Sequence, residues 1–378
     1  MEKVKLTDLC DIQYGYAFDS ACFTDNNTYI PLIRIRDVKR GYSETFYTGD
    51  FSEAYIIHSG DLLIGMDGEF NIARWKSKDA LLNQRVCKIT ANYGANEEYL
   101  RFALSKALKS IENKTAFVTV KHLSAKELNK LTLNIPSQEI QHKIATELGL
   151  IEKIISEKNK EILKLDELVK SRFVEMFGEP ELNTKRWTKQ PLSTVITVAN
   201  NGMSRRGNDS DGDIVLRLVE LQNGYIDYSN PNRIVLNEVE KKRYCLNDKD
   251  FLFARVNGNP DNVGRCAVYH DIGEPVYHND HIIRVHFDEE LLDGVFASTL
   301  LNSDYGKRQL KNQIKTSAGQ YTVSQDGIGA IIAILPPVKM QIKFAEFVQE
   351  VDKLKFEVQK SLDETQLLFD SLMQQYFG

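Results

Sequence analysis

The sequence predicts an α+β chain made of two similar bodies, each followed by the same long helix, with the two helices paired antiparallel as a coiled coil. Three observations lead there. Residues 335–378 repeat residues 135–178 at an offset of 200 with no gap over 44 positions. Each copy carries apolar residues in alternating steps of four and three, the seam of a coiled coil. The segments before the two copies, 1–134 and 185–334, share short apolar runs bounded by turn residues, at offsets that grow along the chain.

The repeat is specific in its residues. Both copies open with an apolar residue and proline (Ile135-Pro136, Leu335-Pro336), carry Gln-x-Lys-x-Ala (Gln141, Lys143, Ala145; Gln341, Lys343, Ala345) and close on Phe-Gly (Phe177-Gly178, Phe377-Gly378). The seam of the first copy runs through Ile144, Leu148, Ile151, Ile155, Lys158, Ile162, Leu165, Val169, Arg172 and Met176. That of the second runs through Phe344, Val348, Val351, Lys355, Val358, Leu362, Thr365, Phe369, Leu372 and Tyr376. Prolines 136, 336 and 337 set the helix starts, and Gly178 followed by Pro180 reads as a stop. A helix of about 40 residues is about 60 Å long. Neither helix can bury its seam alone, and an antiparallel pair is the economical solution. Lys158, Arg172, Lys355 and Thr365 interrupt the seam and are expected to fix register.

The bodies align with drift. The segment from Arg34 to Tyr42 matches that from Arg217 to Tyr225 at an offset of 183, and both are read as a strand and turn. Asp61-Leu62-Leu63-Ile64-Gly65 matches Asp250-Phe251-Leu252-Phe253-Ala254 at 189, short buried strands after an acidic turn. Asn83-Gln84-Arg85-Val86 matches Asn279-Asp280-His281-Ile282 at 196, with Asn279 and Asp280 read as turn caps. Helical patterning is expected near residues 97–111 and 291–314. The domains are therefore drawn as body 1–134, helix 135–178, body 185–334 and helix 335–378.

Composition excludes several classes. An apolar fraction of 42% with 27% charged residues is ordinary for a globular protein. No apolar run approaches the roughly 18 residues of a membrane span, and the N-terminus lacks the apolar core of a secretory signal. Five scattered cysteines without C-x-x-C spacing fit reduced thiols, and the expected location is cytoplasmic. Net charge is −5, and none of the four segments departs from neutrality by more than three charges. Any affinity for a polyanion must come from local clusters.

Pro31-Leu32-Ile33-Arg34-Ile35-Arg36-Asp37, Gly60-Asp61-Leu62-Leu63-Ile64-Gly65-Met66-Asp67-Gly68 and Leu81-Leu82-Asn83-Gln84-Arg85-Val86 resemble the target recognition domains of one family, the specificity (S) subunits of type I restriction–modification systems. So do Phe253-Ala254-Arg255-Val256-Asn257 and Asn262-Val263-Gly264-Arg265, while Val120-Lys121-His122-Leu123-Ser124 and the Ile135-Pro136 to Gln141 stretch resemble its junction into the spacer helix. The resemblance covers essentially the whole chain, and the order body–helix–body–helix is its most specific feature. It implies two target recognition domains in a pseudo-twofold repeat, separated by the helix pair. Each would read one half of a bipartite, asymmetric site in double-stranded DNA, with the helices setting the separation. It also implies docking of two adenine-N6 methyltransferase (M) subunits and, in the full complex, restriction (R) subunits. No cofactor is expected in this chain. The complex would use S-adenosylmethionine, and ATP and Mg with the restriction subunits.

The residues themselves carry no catalytic motif. There is no Asn/Asp-Pro-Pro-aromatic loop, the nearest string being Asn259-Pro260-Asp261, and neither a G-x-G-x-x-G nor a G-x-x-x-x-G-K-[ST] phosphate cradle. Glu240-Lys241-Lys242 reads as a solvated face, and Cys266 with His270, His278 and His281 lacks the spacing of a structural zinc site. The chain is thus expected to be a non-catalytic subunit. The alternative is a detached recognition part of a fused restriction–methylation enzyme with weak activity of its own.

Candidate DNA contacts follow from the donors that reach base edges and phosphates. In the first body they are Lys39 and Arg40 in the turn, Asn71, Arg74 and Lys76 in the polar loop after Gly68, and Lys121 and His122 before the helix. In the second they are Arg205 and Arg206 in a glycine-bounded basic loop, Arg255, Asn257 and Asn259 at a strand end, and Gln320 and Tyr321 at the place matching Lys121 and His122. Arg34 and Arg217 are read as half-buried strand residues.

Overall fold

The computed structural model describes residues 2–114, 122–317 and 319–378. The chain divides into two compact units, residues 1–159 with 360–378, and residues 160–359.

In the first unit a four-stranded antiparallel sheet has the order Cys10–Tyr14, Val86–Ala91, Leu62–Gly65, Ile72–Arg74. A helix, Glu97–Lys114, belongs to the same core: Leu62, Ile64, Cys87 and Ile89 from the sheet meet Tyr99, Leu100, Ala103 and Leu104. A second layer pairs Ile30–Ile33 in parallel with Ala80–Leu82. The second unit repeats this order: Ile196–Asn201, Ile282–Phe287, Phe251–Ala254, Cys266–Val268, with Asp213–Leu216 parallel to Val276–His278. Registers match as well. Cys87 faces Ile64 in one sheet, and Ile283 faces Phe253 in the other.

Conserved chemistry in the matched strings explains this agreement. Asp61 accepts the N–H of His58 (2.9 Å) and the ammonium of Lys88 (3.0 Å). Its counterpart Asp250 accepts the N–H of Asn247 (2.8 Å) and lies 3.5 Å from the Arg284 guanidinium. Each carboxylate therefore closes its turn and ties it to the next strand. The residue before each aspartate takes a left-handed backbone, Gly60 at φ 98° and Lys249 at φ 66°. Glycine adopts that conformation at no steric cost, and lysine does not.

Two sequence expectations are corrected here. The segment after Arg34 is a short helix, Ile35–Arg40, ended by Gly41 at φ 78°, and Arg217–Gly224 is a run of turns. In both, the acid three residues on accepts the arginine's backbone N–H (Asp37 to Arg34, 2.9 Å; Glu220 to Arg217, 2.7 Å), which closes a turn and ends the preceding strand. Arg34 and Arg217 therefore sit past strand ends rather than on them.

The long helices are Gln138–Phe177 and Val338–Phe377, 40 residues each. They start just after the prolines, because Ile135 and Leu335 still end strands. Gly178, at φ 75°, terminates the first. Within each unit the two run antiparallel. In the first unit Tyr376 donates to Glu147 (2.7 Å) and Lys158 to Ser361 (2.8 Å). In the second, Lys355 pairs with Asp166 (2.6 Å) and Arg172 lies over Phe347 (5.7 Å). Thr365 instead bonds its own helix, at the Ser361 carbonyl (2.6 Å). The seams also enter the body cores: Ile144 and Leu148 in the first unit, Phe344 and Val348 in the second.

The Gln-x-Lys-x-Ala glutamine has a structural reason. Gln141 is 1% exposed and Gln341 0%. Gln141 accepts the N–H of Asn96 (2.8 Å) and donates to the carbonyls of Pro136 and Gly94 (3.0 and 3.4 Å). Gln341 accepts from Asp293 (2.9 Å) and donates to Pro336 and Leu291 (2.7 and 3.0 Å). Asn96 and Asp293 cap the body helices, so one buried amide locks each long helix to its body at the same joint.

Candidate nucleic-acid interface

In both units one turn organises the surface above the central sheet. Asn83 and Asn279 hold it: Asn83 Oδ1 accepts the N–H of Gln84 (2.9 Å), and Asn279 Oδ1 that of His281 (3.1 Å). The segment just after the first strand of each sheet (Cys10–Tyr14, Ile196–Asn201) passes beneath without room for a side chain. A Cβ on Gly15 would lie 2.0 Å from the Asn83 carbonyl oxygen, and one on Gly202 would lie 2.3 Å from those of Asn279 and His278. Both turns are thus seated on a glycine, and their exposed residues project from a fixed base.

In the second unit this turn holds two of the candidate residues, Arg206 and Arg255. Arg206 donates to Asp280 (2.6 Å), lies 3.1 Å from His281 Nε2, and donates to the Ser204 carbonyl (2.9 Å). Arg255 donates to the Asp280 carbonyl (3.2 Å). Asn257 lies opposite Tyr321 in a three-stranded sheet that also holds Gln320. Tyr321 is half-buried against the core, while Gln320 is exposed. The side-chain oxygens of Asn257 and Asn259 each accept a backbone N–H two residues on (2.9 and 3.0 Å). Arg205 stands apart, held by Glu240 (2.8 Å) and the Val235 carbonyl (2.8 Å). His281 is held below the usual imidazole range by burial and by Arg206, so its Nε2 is available as an acceptor.

In the first unit the expected residues are less concentrated. Lys39 and Arg40, in the last turn of the short helix, lie 3.7 Å from Glu69 and Glu44 respectively. Lys76 is exposed, with its backbone N–H on the Gly41 carbonyl (3.1 Å). Asn71 is half-buried and donates to the Glu69 carbonyl (3.4 Å). Arg74 is engaged by Glu97 (2.8 Å), Glu98 and the Gly60 carbonyl (2.6 Å), a network that joins sheet to helix. His122 joins Asp67 and Arg85. Lys121 lies outside the described residues. The backbone pairings Asp67 with His122 and Val256 with Thr322 equate His122 with Thr322, and therefore Lys121 with Tyr321.

Asp67 and Arg85 were not singled out by the sequence reading. The signal was present, since Arg85 lies in the matched Asn83 turn. Nothing local shows that Asp67, 18 residues earlier, and His122, 37 residues later, meet it there.

Residues 1–165 match the type I restriction modification DNA specificity domain. The chain is 25% identical to the EcoBI type I specificity subunit of Escherichia coli over 99% of this chain and 85% of that one. It is 26% identical to the EcoKI subunit of E. coli K12 over 86% and 75%. Its fold is similar to that of the type I S subunit from M. genitalium, with a TM-score of 0.60 at 16% identity, covering 100% and 96% of the two chains. Relatives named as type I restriction–modification specificity subunits are thus similar over most of the chain, and the domain model covers its first 165 residues. These likenesses support a DNA-sequence specificity role for the chain. Among the described residues no helix is long and apolar enough to cross a membrane.

Proposed function

We propose that each body reads one half of a bipartite, asymmetric site in double-stranded DNA, and that the helix pair sets the distance between the halves. The carrying observation is a contrast. The two bodies share a sheet order, an acidic turn and a buried glutamine joint, while the residues presented on the matched turns differ (Gln84-Arg85, exposed, against Asp280-His281, half-buried). A common scaffold with different surface donors suits two readers of different sequences. The chain would act in the cytoplasm, docking two adenine-N6 methyltransferase subunits and, in the full complex, restriction subunits. S-adenosylmethionine would serve the former, and ATP with Mg the latter.

The test is methylome sequencing of cells carrying altered chains. Exchanging residues 185–334 for another such body is expected to change one half-site only. Inserting four residues into both long helices is expected to change the number of unspecified bases between halves. An unchanged spacing after that insertion would overturn the role of the helices.

A further inference from the structure

Arg85 occupies a position that disfavours it. Its backbone lies at φ 71°, a left-handed conformation that an L side chain adopts only under strain. Glycine would sit there without that cost, so the side chain must supply something the turn does not need. That side chain is 49% exposed. Only Nη1 hydrogen-bonds among the described residues, to both Asp67 oxygens (3.1 and 3.2 Å), with His122 Nδ1 lying 3.1 Å away. Nδ1 also lies 2.5 Å from Asp67 Oδ1, so it carries the proton and donates to that oxygen. Asp67 therefore receives two donors and anchors one end of the guanidinium. The Nε–Nη2 edge is left without a described partner.

We propose that Arg85 is a base-reading residue of the first body, recognising a guanine through Nε–H and Nη2–H to N7 and O6, with Asp67 and His122 as positioning residues. Two parallel N–H donors on one planar edge match those two acceptors in the major groove. A carboxylate about 3 Å from the guanidinium argues against a phosphate ligand, whose charge Asp67 would repel, and favours a neutral base edge. The second body presents a different group at the same place. The position of Arg85 is taken by His281, and the nearby arginine is Arg206, whose Nη1 and Nη2 are both occupied by protein acceptors. At this matched turn the fork anchored by a carboxylate belongs to the first body; Arg255 of the second body is also held through Nη1, but by the neutral Asp280 carbonyl (3.2 Å).

This inference rests on the two-half-site reading above, and the experiment separates them. The chain, assembled with its methyltransferase partners, is assayed for methylation of duplexes randomised across both half-sites, as wild type and as Arg85→Gly, Arg85→Lys and Asp67→Asn. Arg85→Gly suits φ 71° and keeps the turn folded. Arg85→Gly and Arg85→Lys are each expected to lose roughly tenfold to hundredfold discrimination for guanine at one position of one half-site, with the other half unchanged. Lysine fails because one ammonium cannot reproduce the two-point fork. Asp67→Asn is expected to weaken the same position, by less. A uniform loss over all sequences, with a shallower salt dependence, would mark Arg85 as a phosphate contact and overturn the proposal. A wild type with no preference in two separated half-sites would instead overturn the underlying reading.

Discussion

The two bodies share a scaffold and differ in what they mount on it. At the matched turn the first unit presents an arginine from the turn itself, anchored by Asp67, with one edge open. The second presents a carboxylate and an imidazole that hold an arginine from a preceding loop. Beneath the turns the pattern reverses, and the packing is alike: a glycine with no room for a Cβ, an aspartate closing a turn, a buried glutamine at the joint. Side chains that carry strand geometry are interchangeable only with their chemical equals, whereas exposed ones are free to diverge. The two tryptophans make the comparison measurable, since Trp75 reports the first unit and Trp187 the second.

The largest expected difference lies in the aromatic packing at the helix ends. Phe177 is 1% exposed and packs on Phe173, Phe296 and Phe344. Phe377 is half-buried, against Tyr99 and Tyr376. Phe177→Ala is expected to destabilise the second unit by about 4 kcal/mol in urea unfolding followed by Trp187, and Phe377→Ala to cost the first unit clearly less. Equal losses would break the comparison.

Acid should separate the units next. His278 is buried, its pKa depressed to about 4 by desolvation and by Arg284. Its matched residue in the first unit is Leu82. An unfolded histidine titrates near 6.5, so the unfolded state binds the extra proton first. The stability from this site is full above pH 6.5 and falls as pH drops toward 4, by on the order of 3 kcal/mol. Unfolding midpoints of the second unit should fall over that window, and His278→Leu should flatten the profile. A profile unchanged by His278→Leu would sink the assignment.

The glutamine joints sharpen the comparison by their likeness. Gln141→Ala and Gln341→Ala each strand two carbonyls and one N–H, and each is expected to cost its own unit about 2 kcal/mol, read from the matching tryptophan. The smallest effect is at the turn before the aspartates. Gly60→Ala is expected to lose about 1 kcal/mol, and Lys249→Gly to be neutral or gain up to that amount, because the same left-handed position is filled once by the suited residue and once by an unsuited one.

Much of this architecture was legible in the sequence. The helix length, the stop at Gly178 and the seam follow from spacing of three and four, and the burial along both helices keeps that spacing. The segment after Arg34 was misread because Ile33 and Ile35 alternate like a strand. The contrary signal was Asp37, three residues on, whose carboxylate turns the chain. Arg74 looked like an exposed donor but meets Glu97 and Glu98 from a helix more than twenty residues away.

What the sequence by itself determined is therefore the duplication, the two long helices, their antiparallel economy and the family it resembles. These rest on local periodicity, which a helix or strand converts directly into one buried face. What only the tertiary structure decided is which charged residues remain free. Asp67, Arg85 and His122 meet through a sheet and a turn, Arg206 is captured by Asp280 from 74 residues away, and Arg74 is neutralised across the sheet–helix contact. A charge is available to a ligand only when no partner from elsewhere in the chain has satisfied it, and long-range packing settles that balance.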